Sequence, residues 1–318
     1  MQNIEIPNEI VLELTRKCNL SCDFCFNEQG MYNTNDMPLD DIFKVLDDIS
    51  KSGIKAVRFT GGEPFLRKDL SKILKKAKSL ELYVILNTNG FLINKKNKKF
   101  FNYVDLVILS LHDLGRFGKV INAMVLIKDF HTKIMLATIA TKNNIDNIER
   151  YYEFASKINN KNFSEWFLLR PIPNKNDKNP INQNNIRDLY NKIKKYNEEY
   201  KINVKIANSL PFCAINENLS SICKGGFFDS GYSRLVIDCN GNYKTDYYTA
   251  NILGNIHENA IMQIWNSEEM KDIRNYGKVN KKCITCHHLE GCKGGLIGNE
   301  SLYDFNNIVP LKSILVPT

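Results

Sequence analysis

Nine cysteines are the residues of this chain whose type and spacing best suit chemistry. The first three form a C-x3-C-x2-C motif in the segment CNLSCDFC, at Cys18, Cys22 and Cys25. The other six all follow residue 210, at Cys213, Cys223, Cys239, Cys283, Cys286 and Cys292. Their number is odd, and the N-terminus MQNIEIPNEI lacks the features of a secretory signal. We therefore expect them to bind a metal or an iron–sulfur centre rather than to form disulfides.

The first cysteine motif can surround one small metal centre. Four cysteines normally hold a four-iron cluster, so three leave one iron with an open coordination position. Such a position can bind a substrate or cofactor, as the open position of a catalytic zinc does. The alternative is a zinc knuckle, but no histidine lies near this loop. Because zinc sites usually pair two C-x2-C units, the spacing favours iron and sulfur.

A second motif, Gly61-Gly62-Glu63-Pro64-Phe65, follows a predicted strand. Adjacent glycines let a backbone approach a ligand closely, and the carboxylate supplies an acceptor. Taken alone, the segment could be an ordinary turn. In βα-barrels, however, the carboxyl ends of the strands form the working face. This loop and the cysteine loop are therefore expected at the same end of the sheet.

The elements that must position these loops alternate between strands and helices. Apolar runs predict strands at 9–15, 54–60, 82–88, 104–111, 133–140 and 165–170. Amphipathic segments predict helices at 39–50, 69–80, 119–130 and 147–158. This alternation is typical of parallel strands joined by right-handed crossovers, the α/β class. Six units are too few for a closed eight-stranded barrel, so we predict an open partial (βα)6 barrel with TIM-like connectivity.

Beyond the barrel the composition changes. A Pro- and Asn-rich stretch at 171–185 predicts a loop, and a helix follows at about 186–200. Further on, we predict a strand in SRLVIDCNGNYKT, a short segment at 253–256 and a helix at 261–274. We place the domain boundary near residue 205. Residues 1–205 would be the partial barrel with its linker helix, and residues 206–318 a small cysteine-rich α+β domain.

CNLSCDFC followed by GGEPF closely resembles the radical S-adenosylmethionine enzymes, over roughly residues 8–170. The resemblance implies a partial (βα)6 barrel and a four-iron–four-sulfur (4Fe-4S) cluster on Cys18, Cys22 and Cys25. S-adenosylmethionine would chelate the open iron through its amino and carboxylate groups. The GGE segment would contact that amino group, and Phe24 would lie near the adenine. The cofactor-binding positions that the resemblance implies are Phe24, Gly61, Gly62, Glu63, Pro64, Asn87, Asn89, Ser110 and Arg170.

The later positions in that set each have a second interpretation. The resemblance assigns polar residues after the later strands, in NTNG, LSLHD and LLRPIP, to the ribose and carboxylate of the cofactor. Asn89-Gly90 is also a good turn dipeptide. Ser110 could cap a helix. Arg170 could be a surface ion pair.

The C-terminal cysteines Cys283, Cys286 and Cys292 form a C-x2-C-x5-C motif. With His287 or His288 they could bind zinc instead of iron. The order of the segments resembles the SPASM or twitch extension of radical S-adenosylmethionine enzymes, which carries one or two auxiliary iron–sulfur clusters. The match is incomplete, because Leu296 and Asp246 stand where that pattern has cysteines.

We therefore expect a single auxiliary cluster. Its ligands would be Cys283, Cys286 and Cys292, with the fourth drawn from Cys213, Cys223 or Cys239. A second, degenerate cluster through Cys213, Cys223 and Asp246 stays open. Cys239 could instead be a packed thiol.

The activity implied by the resemblance is reductive cleavage of S-adenosylmethionine to a 5′-deoxyadenosyl radical, which abstracts hydrogen from a substrate. Relatives with this extension commonly modify ribosomally made peptides or protein side chains, so a peptide maturase is the leading hypothesis. Its partners would be a flavodoxin- or ferredoxin-type electron donor and a separate leader-recognition protein. The alternatives are a radical enzyme acting on a small molecule or cofactor precursor, and a non-catalytic zinc- or nucleic-acid-binding protein. Tyr247, Tyr248, His112 and Asp246 are all eligible as a general base.

Composition sets further bounds. Hydrophobic residues make up 43% and charged residues 25% of the 318 residues, which is typical of a soluble globular protein. Apolar runs are too short to span a bilayer, so we expect no membrane partner and a cytoplasmic location. The formal net charge is +8, but the lysines are spread along the chain among asparagines. That distribution favours a solvated surface over a nucleic-acid site.

Overall fold

Strands and helices alternate before residue 170, as the apolar pattern predicts. The computed structural model describes residues 5–25, 36–171, 181–207, 222, 231–247, 251–277 and 279–293. The strands in this part are β1 (Glu9–Thr15), β2 (Ala56–Gly61), β3 (Tyr83–Thr88), β4 (Leu106–Ser110), β5 (Lys133–Ile139) and β6 (Phe163–Leu169). The α-helices are α1 (Leu39–Lys51), α2 (Leu70–Ser79), α3 (Phe117–Ile127), α4 (Lys142–Asp146) and α5 (Ile148–Ser156). Short 3₁₀ helices cover Pro64–Leu66, Lys98–Tyr103 and Leu114–Arg116.

The later elements are shorter. They are α6 (Gln183–Tyr200), β7 (Lys205–Ile206), β8 (Arg234–Ile237), β9 (Asn242–Lys244), β10 (Gly254–Asn255), α7 (Ile261–Trp265), α8 (Glu268–Arg274), α9 (Lys281–Ile284) and α10 (Leu289–Cys292). The single helix predicted at 261–274 is therefore wrong. Ser267 interrupts it, because its hydroxyl accepts a hydrogen bond from the Met270 N–H at 3.3 Å and caps α8.

The chain divides into two compact units, each discontinuous in sequence. The first unit comprises residues 1–137, 159–165 and 229–271. The second comprises residues 138–158, 166–228 and 272–318. The domain boundary near residue 205 is a division of the sequence and stays a prediction.

The first unit contains a mainly parallel sheet with the strand order β10-β9-β8-β1-β2-β3-β4-β5. The pairs from β8 to β5 are parallel, whereas β9 is antiparallel to both β8 and β10. In the second unit, β7 pairs in parallel with β6. The predicted α/β class, with the parallel sheet of a partial barrel, is confirmed. The position of β8 beside β1 was not predicted, because β8 belongs to the segment assigned to the C-terminal domain.

The two faces of this sheet differ in polarity. On β1, Ile10, Leu12 and Leu14 point to one face and are fully buried, while Glu9 and Glu13 point to the other. Right-handed crossovers place the helices on a single face of such a sheet. The helices α1 and α2 bury apolar residues at helical spacing, namely Ile42, Val45, Leu46 and Ile49 on α1, and Leu70, Ile73, Leu74 and Ala77 on α2. The helices therefore cover the apolar face, and the charged groups of β1 occupy the opposite one.

No helix in the described part of the chain is both long and apolar enough to cross a membrane.

Candidate functional site

The cysteine loop begins where β1 ends. Cys18, Cys22 and Cys25 form no disulfide and are partly exposed, and the Cys25 N–H donates to the Cys22 carbonyl at 3.0 Å. Burial raises the pKa of the Cys18 thiol, and the nearby Glu63 and Cys22 raise it further. Across the residues that the structure describes, no three His, Cys, Asp or Glu side chains converge on a point that would hold a metal ion.

The glycines at the end of β2 pack against the start of this loop. The Gly62 N–H donates to the Thr15 carbonyl at 2.6 Å, and the Glu63 N–H donates to the Lys17 carbonyl at 2.8 Å. A Cβ atom on Gly61 would collide with the Thr15 carbonyl oxygen, and one on Gly62 with the Lys17 carbonyl oxygen. The sequence predicted that these glycines admit a ligand. In the structure they let two protein backbones meet, and their approach to a ligand stays a prediction.

Glu63 joins the end of β2 to the end of β3. Its side chain is fully buried and accepts hydrogen bonds from the Thr88 hydroxyl at 2.7 Å, the Asn89 N–H at 2.8 Å and the Phe65 N–H at 3.1 Å. Burial raises the pKa of the carboxyl, and these hydrogen bonds oppose that rise. The next residue, Pro64, is buried and begins a 3₁₀ helix. Glu63 therefore fixes the geometry of both loops.

The end of β3 contacts the cysteine loop directly. The Asn89 side-chain amide donates to the Asn19 side-chain oxygen at 2.9 Å. The Phe91 N–H donates to Asn89 Oδ1 at 3.0 Å, and Gly90 has φ +80°, so the predicted turn at Asn89-Gly90 is present. Asn87 Oδ1 is buried and accepts no hydrogen bond from the residues that the structure describes. A donor group on a bound molecule would satisfy that oxygen.

Residues at and after the end of β4 also contact the cysteine loop. Ser110 is the last residue of β4. The rings of Phe24 and His112 meet edge to face with centroids 5.2 Å apart. Burial and the neighbouring Arg116 lower the pKa of His112 to about 4, so this imidazole is neutral at pH 7. Arg116 Nη1 lies 3.7 Å from Cys22 Sγ.

Arg116 was not predicted as a site residue. The sequence did contain a signal for it. Arg116 lies in the loop that follows β4, and that loop is at the same end of the sheet as the cysteines. The donor set at this end fits an iron–sulfur cluster with a polar cofactor. Three thiols lie on one short loop, and the Arg116 guanidinium contacts one of the sulfurs. The buried Asn87 Oδ1 can accept a hydrogen bond from a bound cofactor.

The second unit contains further predicted site residues, among them Arg170 and Cys283. Arg170 is buried and donates to the Pro171 carbonyl at 3.0 Å, so it is not the surface ion pair considered above. Cys283 lies on α9, and burial together with the charges of Cys292 and Cys286 raises its pKa to about 11. The three C-terminal thiols are therefore neighbours. Two further predicted ligands, Cys213 and Cys223, lie outside the described residues.

Two more candidate ligands lie in the first unit, just before and just after β9. Cys239 is buried, and that burial raises its pKa to about 11, which agrees with a packed thiol. Asp246 is also buried. Burial raises the pKa of Tyr247, so its phenol is protonated at neutral pH. Tyr248, another eligible base, lies outside the described residues.

The chain belongs to the radical S-adenosylmethionine superfamily. The model of that superfamily matches residues 12–169, and the model of an iron–sulfur cluster-binding domain, SPASM, matches residues 229–287. The first match spans both the cysteine loop and the glycine loop. The superfamily implies S-adenosylmethionine and a 4Fe-4S cluster, and the SPASM domain implies auxiliary iron–sulfur clusters, so the cofactor prediction is confirmed. Membership argues against the non-catalytic zinc- or nucleic-acid-binding alternative.

Curated relatives differ in what they act on. The chain is 25% identical over 191 residues to the PqqA peptide cyclase of Granulibacter bethesdensis, covering 53% of this chain and 51% of that protein. It is 22% identical to the AdoMet-dependent heme synthase of Methanosarcina barkeri, covering 91% of this chain and 90% of that protein. It is 35% identical to a probable GTP 3′,8-cyclase of Pyrococcus horikoshii, covering 33% of this chain and 34% of that protein. The chain thus spans about half the length of the PqqA peptide cyclase and about a third of the probable GTP 3′,8-cyclase.

Solved structures share the fold at low identity. Streptococcus suis SuiB bound to its precursor peptide SuiA has a TM-score of 0.75 and 20% identity, covering 92% of this chain and 72% of that one. Native anSMEcpe with bound AdoMet and Kp18Cys peptide has a TM-score of 0.68 and 17% identity, covering 90% of this chain and 88% of that one.

Proposed function

We propose that this protein is a radical S-adenosylmethionine enzyme that modifies a ribosomally synthesised peptide or a protein side chain. The observation that carries the proposal is the similarity of its fold, over 92% of the chain, to SuiB bound to its precursor peptide. The similarity to the PqqA peptide cyclase and to peptide-bound anSMEcpe supports the same substrate class.

In this proposal Cys18, Cys22 and Cys25 hold the 4Fe-4S cluster. The residues assigned to S-adenosylmethionine are Phe24, Gly61, Gly62, Glu63, Pro64, Asn87, Asn89, Ser110 and Arg170. When bound, these groups would supply one-electron reductive cleavage of S-adenosylmethionine and, through it, abstraction of a hydrogen atom from the substrate.

The role of the protein itself is to position these groups and to exclude water from them. Glu63 ties the glycine loop to Thr88 and Asn89, and Asn89 ties the end of β3 to Asn19 in the cysteine loop. Asn87 offers its buried oxygen to a donor of the cofactor. Because these contacts are made within the protein itself, they hold the loops after β1, β2 and β3 in a fixed relation to one another.

The auxiliary cluster is assigned to Cys283, Cys286 and Cys292, with a fourth ligand from Cys213, Cys223 or Cys239. A flavodoxin- or ferredoxin-type protein would deliver the electron, and a separate protein would recognise the leader of the peptide. A cytoplasmic location stays a prediction from the sequence.

A second candidate function has one observation in its favour. The AdoMet-dependent heme synthase of Methanosarcina barkeri aligns over 91% of this chain and 90% of its own length. That nearly full-length match favours a small-molecule or cofactor precursor as the substrate, with the same radical chemistry.

The test is hydrogen transfer from a labelled substrate. The enzyme is reconstituted anaerobically with iron and sulfide, then mixed with S-adenosylmethionine, a strong reductant and one deuterated candidate at a time. The candidates are peptides encoded beside this gene and, separately, tetrapyrrole precursors of heme. Mass spectrometry reads the deuterium content of the 5′-deoxyadenosine and the mass of the candidate. The matched control is Cys22→Ala.

We expect deuterium in the 5′-deoxyadenosine and a mass change in the peptide, both absent from the control. Deuterium transfer from a tetrapyrrole alone would overturn the peptide proposal in favour of the second candidate. Unlabelled 5′-deoxyadenosine with every candidate would contradict both substrate classes while leaving the radical chemistry in place.

A further inference from the structure

Arg116 is a charged residue beside the cysteine loop to which neither motif assigns a role. It ends the 3₁₀ helix Leu114–Arg116 in the loop between β4 and α3. Its Nη1 atom lies 3.7 Å from Cys22 Sγ, within hydrogen-bond range for sulfur. The two residues are 94 positions apart in sequence, so the fold creates this contact.

Two neighbours hold the guanidinium in this orientation. Arg116 Nε lies 3.3 Å from Asp113 Oδ2. The Asp113 carboxylate is itself anchored, because its Oδ1 accepts from the Gly115 N–H at 2.8 Å. On another side, the guanidinium carbon lies 5.7 Å from the centre of the Phe91 ring. Nε is therefore occupied by the carboxylate, while Nη1 faces the sulfur.

A positive charge at a cluster ligand has a defined physical effect. Reduction adds an electron to the cluster, so a nearby cation stabilises the reduced form more than the oxidised form. Hydrogen bonds to the ligating sulfur act in the same direction. His112 shares this region, but its lowered pKa of about 4 leaves it neutral at pH 7, so it adds no such charge.

We propose that Arg116 raises the reduction potential of the iron–sulfur cluster held by Cys22, and that Asp113 positions Arg116 for this task. The inference rests on the proposed assignment of Cys18, Cys22 and Cys25 to the cluster. Arg116 then tunes how readily the cluster accepts an electron, and Asp113 is the residue that positions Arg116. No particular substrate is required.

The test is an anaerobic redox titration of the full, reconstituted chain, followed by electron paramagnetic resonance without S-adenosylmethionine. Leaving out the cofactor removes any contact that Arg116 makes with it. Cys22→Ala identifies the signal of the auxiliary centre, which is then subtracted. The variants are Arg116→Gln, Arg116→Lys and Asp113→Asn. The control is Lys119→Gln, which removes one positive charge from an exposed position on α3.

We expect Arg116→Gln to lower the potential by at least the equivalent of a tenfold smaller reduction constant, which is about 59 mV for one electron. Arg116→Lys should restore part of that shift. Asp113→Asn should give a smaller shift, because it releases the guanidinium but also removes a negative charge, which by itself raises the potential. Lys119→Gln should leave the potential unchanged. Should Arg116→Gln fail to retain iron, the lysine and Asp113 variants decide the question.

Equal potentials in wild type and all Arg116 and Asp113 variants would overturn the inference. Equal potentials with weaker S-adenosylmethionine binding would overturn it in a specific way, because Arg116 would then be a cofactor contact. Both results leave the proposed function intact. A wild-type signal that Cys22→Ala does not alter would instead overturn the cluster assignment on which both proposals rest.

Discussion

A buried carboxyl on β1 should make the stability of this protein depend on pH. Glu13 is 7% exposed and lies on the polar face of the sheet. The charged groups around it are Arg16, Asp238 and Lys244. Burial is the largest influence, and it raises the pKa of Glu13 from 4.5 to about 7, with Asp238 adding to the rise and the two cations opposing it. The folded protein therefore keeps this proton at pH values where the unfolded chain has lost it.

The sign and size of the effect follow from linkage. Because the folded state binds the extra proton, the free energy of unfolding falls as the pH rises through the interval between the two pKa values. That interval corresponds to about 3 kcal/mol in all, of which about 1.3 kcal/mol is lost between pH 6 and pH 8. Glu13→Gln keeps the shape of the side chain and removes the titration. The variant should be more stable than wild type at pH 8 and lose this part of the pH slope.

Urea unfolding of the anaerobic, reconstituted protein at pH 6, 7 and 8, followed by tryptophan fluorescence, measures the slope. Glu258→Gln removes a solvent-exposed carboxylate and is the charge-matched control. Identical pH slopes for wild type and Glu13→Gln would refute the reasoning, because they would show that Glu13 titrates alike in the folded and unfolded chains.

Three further predictions concern the loops, the core and the second unit. Gly62→Ala places a Cβ atom against the Lys17 carbonyl and should lower the free energy of unfolding by about 1–3 kcal/mol, measured by urea unfolding. The variant should also bind less iron. Wild-type values for both quantities would contradict the observed packing. Arg67→Met removes a buried guanidinium that donates to the Leu14 and Met37 carbonyls at 2.9 Å. It should lower the free energy of unfolding by about 1–3 kcal/mol in the same assay. An unchanged unfolding midpoint would show that water replaces those hydrogen bonds. Cys283→Ala should lower the iron content without abolishing 5′-deoxyadenosine formation, and full iron retention would contradict its assignment as a ligand.

Local patterns predicted much of the fold. The strands β1 to β6 and the helices α1, α2, α3, α5 and α6 follow from apolar periodicity, which a single sequence displays directly. The segment predicted as one strand, SRLVIDCNGNYKT, instead holds the hairpin of β8 and β9. Its turn is at Asn240-Gly241, where Gly241 adopts φ +81° and Asp238 accepts from the N–H groups of Asn240 and Asn242.

Long-range pairings could not be predicted in this way. The strand β8 lies in parallel beside β1, with Arg234 opposite Glu9 and Ile237 opposite Leu12. These segments are more than two hundred residues apart, and the sequence of a four-residue strand does not indicate which strand it pairs with. The break between α7 and α8 was visible in principle, because Ser267 followed by two glutamates is a helix-start signal.

The candidate site shows the same division. The sequence identified the cysteine spacing and the paired glycines, because both are short motifs. It did not identify what the glycines pack against, which donors Glu63 satisfies or how Arg116 reaches Cys22. Each of those contacts joins loops that follow different strands, so it exists only after the sheet has formed.

The most direct test of the central claim is the formation of 5′-deoxyadenosine. The protein is reconstituted with iron and sulfide under anaerobic conditions and given S-adenosylmethionine and a strong reductant, with Cys22→Ala treated identically. We predict that wild type forms 5′-deoxyadenosine and methionine and that the variant forms neither. Iron-loaded wild type that leaves S-adenosylmethionine intact, with and without the candidate peptides and tetrapyrroles, would contradict the assignment of this site to radical chemistry.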